Sequence, residues 1–188
     1  MAVRLRRPLA VLLTVLATMW PSHAAAQAMS EYQAKAAFIL NVLAFVEWPD
    51  TALGAAAPIE VAVVGRPSGD EVQAALAGKA ARRHPLVVHV YDRASDVKSA
   101  HVLFLTADAD GDVRGALHGV DGKAVLTIVD DSAASAGSLP SVITLLIVNR
   151  RLAFTVDLDV ADANRVRPSA HLLRLAQRVR GRSLATAR

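Results

Sequence analysis

The amino-acid sequence predicts one α/β domain: a mainly parallel sheet flanked by helices, with a C-terminal β-hairpin and a final helix. Three observations carry this. Short apolar runs alternate with helical stretches between Ile59 and Val129, and parallel strands need such crossover connections. Val142 to Val148 and Leu152 to Asp157 are separated only by Asn149-Arg150-Arg151, a connection so short that it makes a hairpin. Near the end, Leu172, Leu175, Ala176 and Val179 stand at i, i+3, i+4 and i+7, on one face of a helix.

The chain of 188 residues opens on Arg4, Arg6 and Arg7, continues through an uncharged run from Leu9 to Trp20, and reaches Ala26-Gln27-Ala28. A basic start, a short apolar run and an A-x-A site describe an export signal over residues 1–28, cleaved before Met29. The apolar run falls short of the roughly 20 residues a membrane span needs. The mature protein is therefore expected in the periplasm, without a membrane-spanning segment. Cleavage also changes the charge argument. The full chain has 21 Lys and Arg against 17 Asp and Glu, and three arginines leave with the signal, so 18 face 17. A near-neutral domain gives no support for a nucleic-acid partner. Basic residues gather towards the end, from Arg165 and Arg167 through Arg174, Arg178 and Arg180 to Arg182, as a solvated face or a contact for an acidic partner. There is no cysteine, so the fold must hold in an oxidising compartment without disulfides. One domain over residues 29–182 is expected, followed by a disordered tail at 183–188.

Taken in order, Ser30 to Glu47 reads as a helix, with Tyr32, Ala36, Ile39, Leu43 and Val46 on one face and capping-box spacing at Ser30 and Gln33. Pro49 ends it, leaving Trp48 at the boundary. Thr51 to Pro58 is a small-residue loop. Ile59 to Val64 is a first strand closed by Gly65, and Ser68 to Leu76 a helix with Ser68 and Glu71 at capping-box spacing. Leu86 to Tyr91, His101 to Leu105 and Ala124 to Val129 are further strands with weak helical segments between them. After the hairpin comes the last helix, Pro168 to Arg180, with Gly181 as its C-cap and arginines at the negative end of its dipole.

Motifs for catalysis are missing at the spacings that chemistry requires. Gly65-Arg66-Pro67-Ser68-Gly69 sits where phosphate loops sit, yet it lacks the middle glycine of a dinucleotide fingerprint and the Gly-Lys-Ser/Thr of a P-loop. It reads as a turn into a capped helix, with a weak anion site at the helix N-terminus as the alternative. Asp108, Asp110 and Asp112 resemble the start of a calcium loop, but Val113 and Gly119 occupy the positions that need glycine and glutamate. His84, His89, His101, His118 and His171 show no close ligand spacing, and no G-x-S-x-G marks a nucleophile. No cofactor is implied. Gly65, Ser68, Asp130 and Asp131 lie at strand ends, where α/β proteins hold ligands, and are the candidate ligand residues.

Glu31-Tyr32-Gln33-Ala34-Lys35-Ala36-Ala37-Phe38-Ile39 and Phe45-Val46-Glu47-Trp48-Pro49 together resemble the opening signature of the YfiR family. His101 to Leu105, Val125 to Ile128, and Arg151, Phe154, Val156, Ser169 and Leu172 to Ala176 are similar to later family blocks, in order. The resemblance implies a periplasmic α/β protein, often a homodimer, that is not an enzyme. Its implied partner is the periplasmic portion of an inner-membrane diguanylate cyclase, which it represses by contact, restraining cyclic di-GMP and biofilm formation. Ala100 stands where relatives often have cysteine, Ser138 replaces a glycine, and Asp157 stands where asparagine is common. Phe45, Trp48, Arg174 and Arg178 are the candidate partner-binding residues, although packing alone accounts for Phe45. A periplasmic small-molecule sensor using the strand-end loops is the alternative reading.

Overall fold

The computed structural model describes residues 29–131 and 139–181. The expected signal peptide, the tail and Ser138 lie outside the described residues. The chain begins with α1 (Glu31–Leu43), capped as the sequence predicts: Ser30 Oγ accepts from the Gln33 amide at 3.1 Å, and the Gln33 side chain accepts from the Ser30 amide at 3.1 Å. The helix stops at Leu43, short of the expected Glu47, because the next residues pair elsewhere. Strand β1 (Val46–Glu47) lies antiparallel to a segment far along the chain. Val46 is buried, so it extended the helical periodicity while belonging to a strand.

Next come β2 (Ile59–Val64), α2 (Ser68–Leu76), β3 (Ala80–Ala81), β4 (His84–Tyr91), a 3-10 turn at Ala94–Asp96, β5 (Val102–Leu105), α3 (Val113–His118) and β6 (Leu126–Asp130). The hairpin β7 (Ile143–Val148) and β8 (Arg151–Asp157) follows, then α4 (Leu158–Ala163), β9 (Arg167–Pro168), α5 (Ala170–Leu175) and β10 (Arg178–Arg180). The main sheet runs β10-β8-β7-β6-β5-β2-β4-β3, while β9 partners β1. Within it β4, β2, β5, β6 and β7 are mutually parallel neighbours. Numbered along the chain these five stand in the order 2-1-3-4-5, that of doubly wound α/β sheets of the flavodoxin type. The predicted α/β class, mainly parallel sheet and C-terminal hairpin all stand.

The final helix differs from its expectation. Instead of running to Arg180, α5 ends at Leu175, and Arg178–Arg180 joins β8 in parallel, with the Gln177 amide already donating to Phe154 C=O at 2.9 Å. Sheet hydrogen bonds thus replace the last helical turns. Only Leu172 of the predicted stripe is fully buried; Leu175 is 60% exposed. Gly181 consequently caps no helix. Its φ of +111° carries the chain past Asp159, whose amide a Cβ would meet at 2.8 Å. Three short elements had no sequence expectation: β3, α4 and β9. Asp157 starts α4 by accepting from the Asp159 and Val160 amides at 3.0 and 3.2 Å.

The two faces of the sheet are covered unequally. One carries Val61, Val63, Val102, Phe104, Ile128, Leu145 and Phe154 against α1, α2, α4 and α5, in a core that includes Ile39, Val72, Ala161 and Leu172. Phe38 packs its ring 5.0 Å from Phe154. The other face carries Ala62, Val64, Leu103, Leu105, Val125 and Val129, with Ala94 and Leu117 as the buried partners that the covering segments supply among the described residues.

Candidate functional site

In a doubly wound sheet, ligands bind beyond the carboxyl ends of the strands where the order reverses, here between β2 and β5. That end is built from polar side chains. β2 runs into Gly65, with φ +106°, where a Cβ would clash with Thr106 and come within 2.6 Å of the Ala109 amide. Thr106 closes β5, its hydroxyl donating to Val64 C=O at 2.9 Å. Asp108 then reaches the start of α2, accepting from the Ser68 hydroxyl and from the Ser68 amide at 3.2 Å. The expected cap on α2 is therefore corrected. Ser68 is not the N-cap; Pro67 holds that position without a side-chain bond, and Asp108 from the next loop supplies the carboxylate. It also fills the anion position that this helix start could offer.

Asp130 ends β6 beside this group with its side chain wholly buried. It accepts from Lys35 Nζ at 2.5 Å and from the Tyr32 hydroxyl at 3.2 Å, both from the first turns of α1. Lys35, 0% exposed, also pairs with Glu31 and sits 4.4 Å from the centre of the Tyr32 ring. Burial by itself would lower the Lys35 pKa, but the hydrogen bonds to Asp130 and Glu31 outweigh it and hold the ammonium above its ordinary value. Burial raises the Tyr32 phenol, the Ser68 hydroxyl opposes this, and the Asp130 charge adds to it. Ser30 ties the same turn to α2 by donating to Glu71 at 2.7 Å. The structure thus brings together Gly65, Ser68 and Asp130, the sequence's candidate ligand residues, with Asp108, weighed there only as part of a calcium loop, and with Lys35 and Tyr32, which were not site candidates. Asp131 follows Asp130 outward, half-buried, its amide donating to Leu145 C=O at 3.0 Å. The crevice that could hold a ligand is filled by the start of α1.

The neighbouring carboxylates are likewise engaged locally: Asp110 accepts from the Gly111 amide at 2.7 Å, and Asp112 from Gly115 at 2.8 Å. His101 accepts from the Glu60 amide at 3.0 Å and bridges to Ala52 C=O at 3.1 Å.

Three of the four candidate partner residues, Phe45, Trp48 and Arg174, lie towards the opposite end of α1, whose 13 residues span about 20 Å. Phe45 is half-buried and stacks on His171 at 4.8 Å, while its carbonyl accepts from the Ser169 amide at 2.8 Å. Arg174, exposed, reaches the same His171 at 3.4 Å. Trp48 is half-buried, its indole N–H donating to His101 C=O at 3.3 Å. It forms one wall of a groove of about 390 Å³ with Glu47, Pro49, Asp162, Arg165 and Arg167. Arg178 stands on β10 opposite Thr155, at the edge of the sheet. Phe45 and Arg174 therefore meet through His171, Trp48 belongs to the adjoining groove, and Arg178 occupies a separate element.

No curated protein matches the chain. The YfiR/HmsC-like family model matches residues 32–177, from Tyr32 in the buried network to Gln177 at the threshold of β10. With that span covering most of the sequence, the chain belongs to the YfiR/HmsC-like family, whose members are in general periplasmic regulators of diguanylate cyclase signalling.

Proposed function

We propose that this protein is exported by the signal in residues 1–28 and represses a membrane-bound diguanylate cyclase by binding its periplasmic portion. The observation that carries the reading is the family match over residues 32–177. The geometry supports contact rather than catalysis, because the strand-end crevice is filled by the buried Lys35–Asp130 pair. The surface around Phe45, His171 and Arg174, with the adjoining Trp48 groove, is the proposed docking face. An aromatic ring with a neighbouring arginine suits an interface anchor. A regulator of this kind acts by favouring one state of its partner, lowering cyclic di-GMP and with it biofilm formation. Assembly as a homodimer belongs to the same reading.

Deleting the gene is expected to raise cellular cyclic di-GMP, and the wild-type protein to restore it. Arg174→Glu, at an exposed position, is expected to fold normally yet lose repression and co-purification with the cyclase. Unchanged cyclic di-GMP on deletion would sink the proposal; full repression by Arg174→Glu would remove this face from it.

A further inference from the structure

The thinly covered face of the sheet has an opening that the strand-end network does not reach. Five parallel strands present apolar side chains on both faces. Among the described residues, the cover over Leu103 and Val125 is the segment after the 3-10 turn on one side and the six-residue α3 on the other. Between them lies a groove of about 520 Å³. Its floor is Leu103 and Val125, and its walls include Val97 and Ala100 opposite Ala116 and Val120. That volume falls within the roughly 300–1,000 Å³ of small-molecule sites.

Two features of α3 keep the groove open. Gly115 and Gly119 stand one turn apart on its lining and contribute no side chain. A Cβ at Gly115 would collide with the Asp112 carboxylate, and one at Gly119 would sit tightly, 3.2 Å from Gly115 C=O.

Charge specifies the occupant. Lys98 and Lys123 both line the groove, both are exposed, and neither forms an ion pair among the described residues. The one carboxylate in the lining, Asp112, is engaged in capping α3 through the Gly115 amide at 2.8 Å. Apolar walls with two available ammonium groups at the rim suit a molecule with an apolar body and one anionic head. We propose that this groove is a binding site for a small apolar carboxylate, its body over Leu103 and Val125 and its head between Lys98 and Lys123. The site is independent of the docking face and of the identity of any cyclase.

The purified mature protein can be titrated calorimetrically with octanoate and, as a neutral control, octanol. Saturable octanoate binding is expected, tighter than octanol by roughly tenfold or more and weakened by salt. Lys98→Glu/Lys123→Glu changes only exposed side chains and is expected to weaken octanoate about tenfold while leaving octanol unchanged. Ala116→Phe, which fills the groove, is expected to abolish both. Absence of saturable octanoate binding would overturn the site, as would binding indifferent to reversal of both lysines. If the groove instead seats a second copy of the chain, octanoate will not bind and Ala116→Phe will convert a dimer to monomer, which also overturns it.

Discussion

Lys35 and Asp130 form a buried ion pair in which each partner's desolvation is offset chiefly by the other. Removing one partner is therefore worse than removing both. Lys35→Met should lower unfolding free energy by about 3–5 kcal/mol, and adding Asp130→Leu should recover most of the loss, as read from urea midpoints. The pair also fixes the sign of a pH effect. Lys35 binds its proton more tightly folded than unfolded, so its contribution is complete below the ordinary lysine value of 10.5 and fades as pH rises through the higher folded one. Tyr32, raised from 10.0, acts in the same direction. Stability should thus fall above about pH 10, and less steeply in the double variant. A clue to this pair was present in the sequence. Lys35 lies three residues after Tyr32 and four after Glu31, on the margin of the apolar stripe, where a lysine needs a buried partner. Nothing local, however, names Asp130, which is 95 residues away.

At the scale of elements, local signals succeeded at some positions and failed where a tertiary partner competed, as Asp108 did at the start of α2. Ser30 and Gln33 form the cap their spacing predicts. The hairpin expected at Asn149-Arg150-Arg151 turns on Asn149-Arg150 alone, with φ of 51° and 60°, the left-handed pair a two-residue hairpin needs, and Arg151 joins β8. Asn accepts that conformation readily, whereas Arg carries a Cβ penalty there. Arg150→Gly should therefore stabilise the domain by about 0.5–1 kcal/mol, seen as a higher urea midpoint with unchanged slope. By contrast α1 and α5 both end earlier than their periodicity suggests. In each case the displaced residues, Val46–Glu47 and Arg178–Arg180, found strand partners remote in sequence. A helical pattern of four or five residues cannot outbid such a ladder, because tertiary pairing overrides weak propensity.

For the whole molecule, the strand segments were legible but their order was not. Ile59–Val64 appears with its predicted bounds, yet its place between β4 and β5 follows from which face each crossover takes. The same holds for the strand-end network: Gly65, Ser68 and Asp130 were readable as strand ends, and their convergence with Asp108 and Tyr32 required the 2-1-3-4-5 order. That order has a last consequence at its β10 border. A terminal strand leaves one row of main-chain donors and acceptors without a neighbour, a template on which other chains can stack. Arg178 and Arg180, both exposed, place positive charge along that row on either side of Val179. Two molecules meeting there edge to edge would bring like charges together. Arg178→Val/Arg180→Val should consequently self-associate at concentrations where the parent stays dispersed, as light scattering would register. The arginines that suggest a docking patch would then guard this sheet edge against strand-to-strand stacking, whatever surface a homodimer uses.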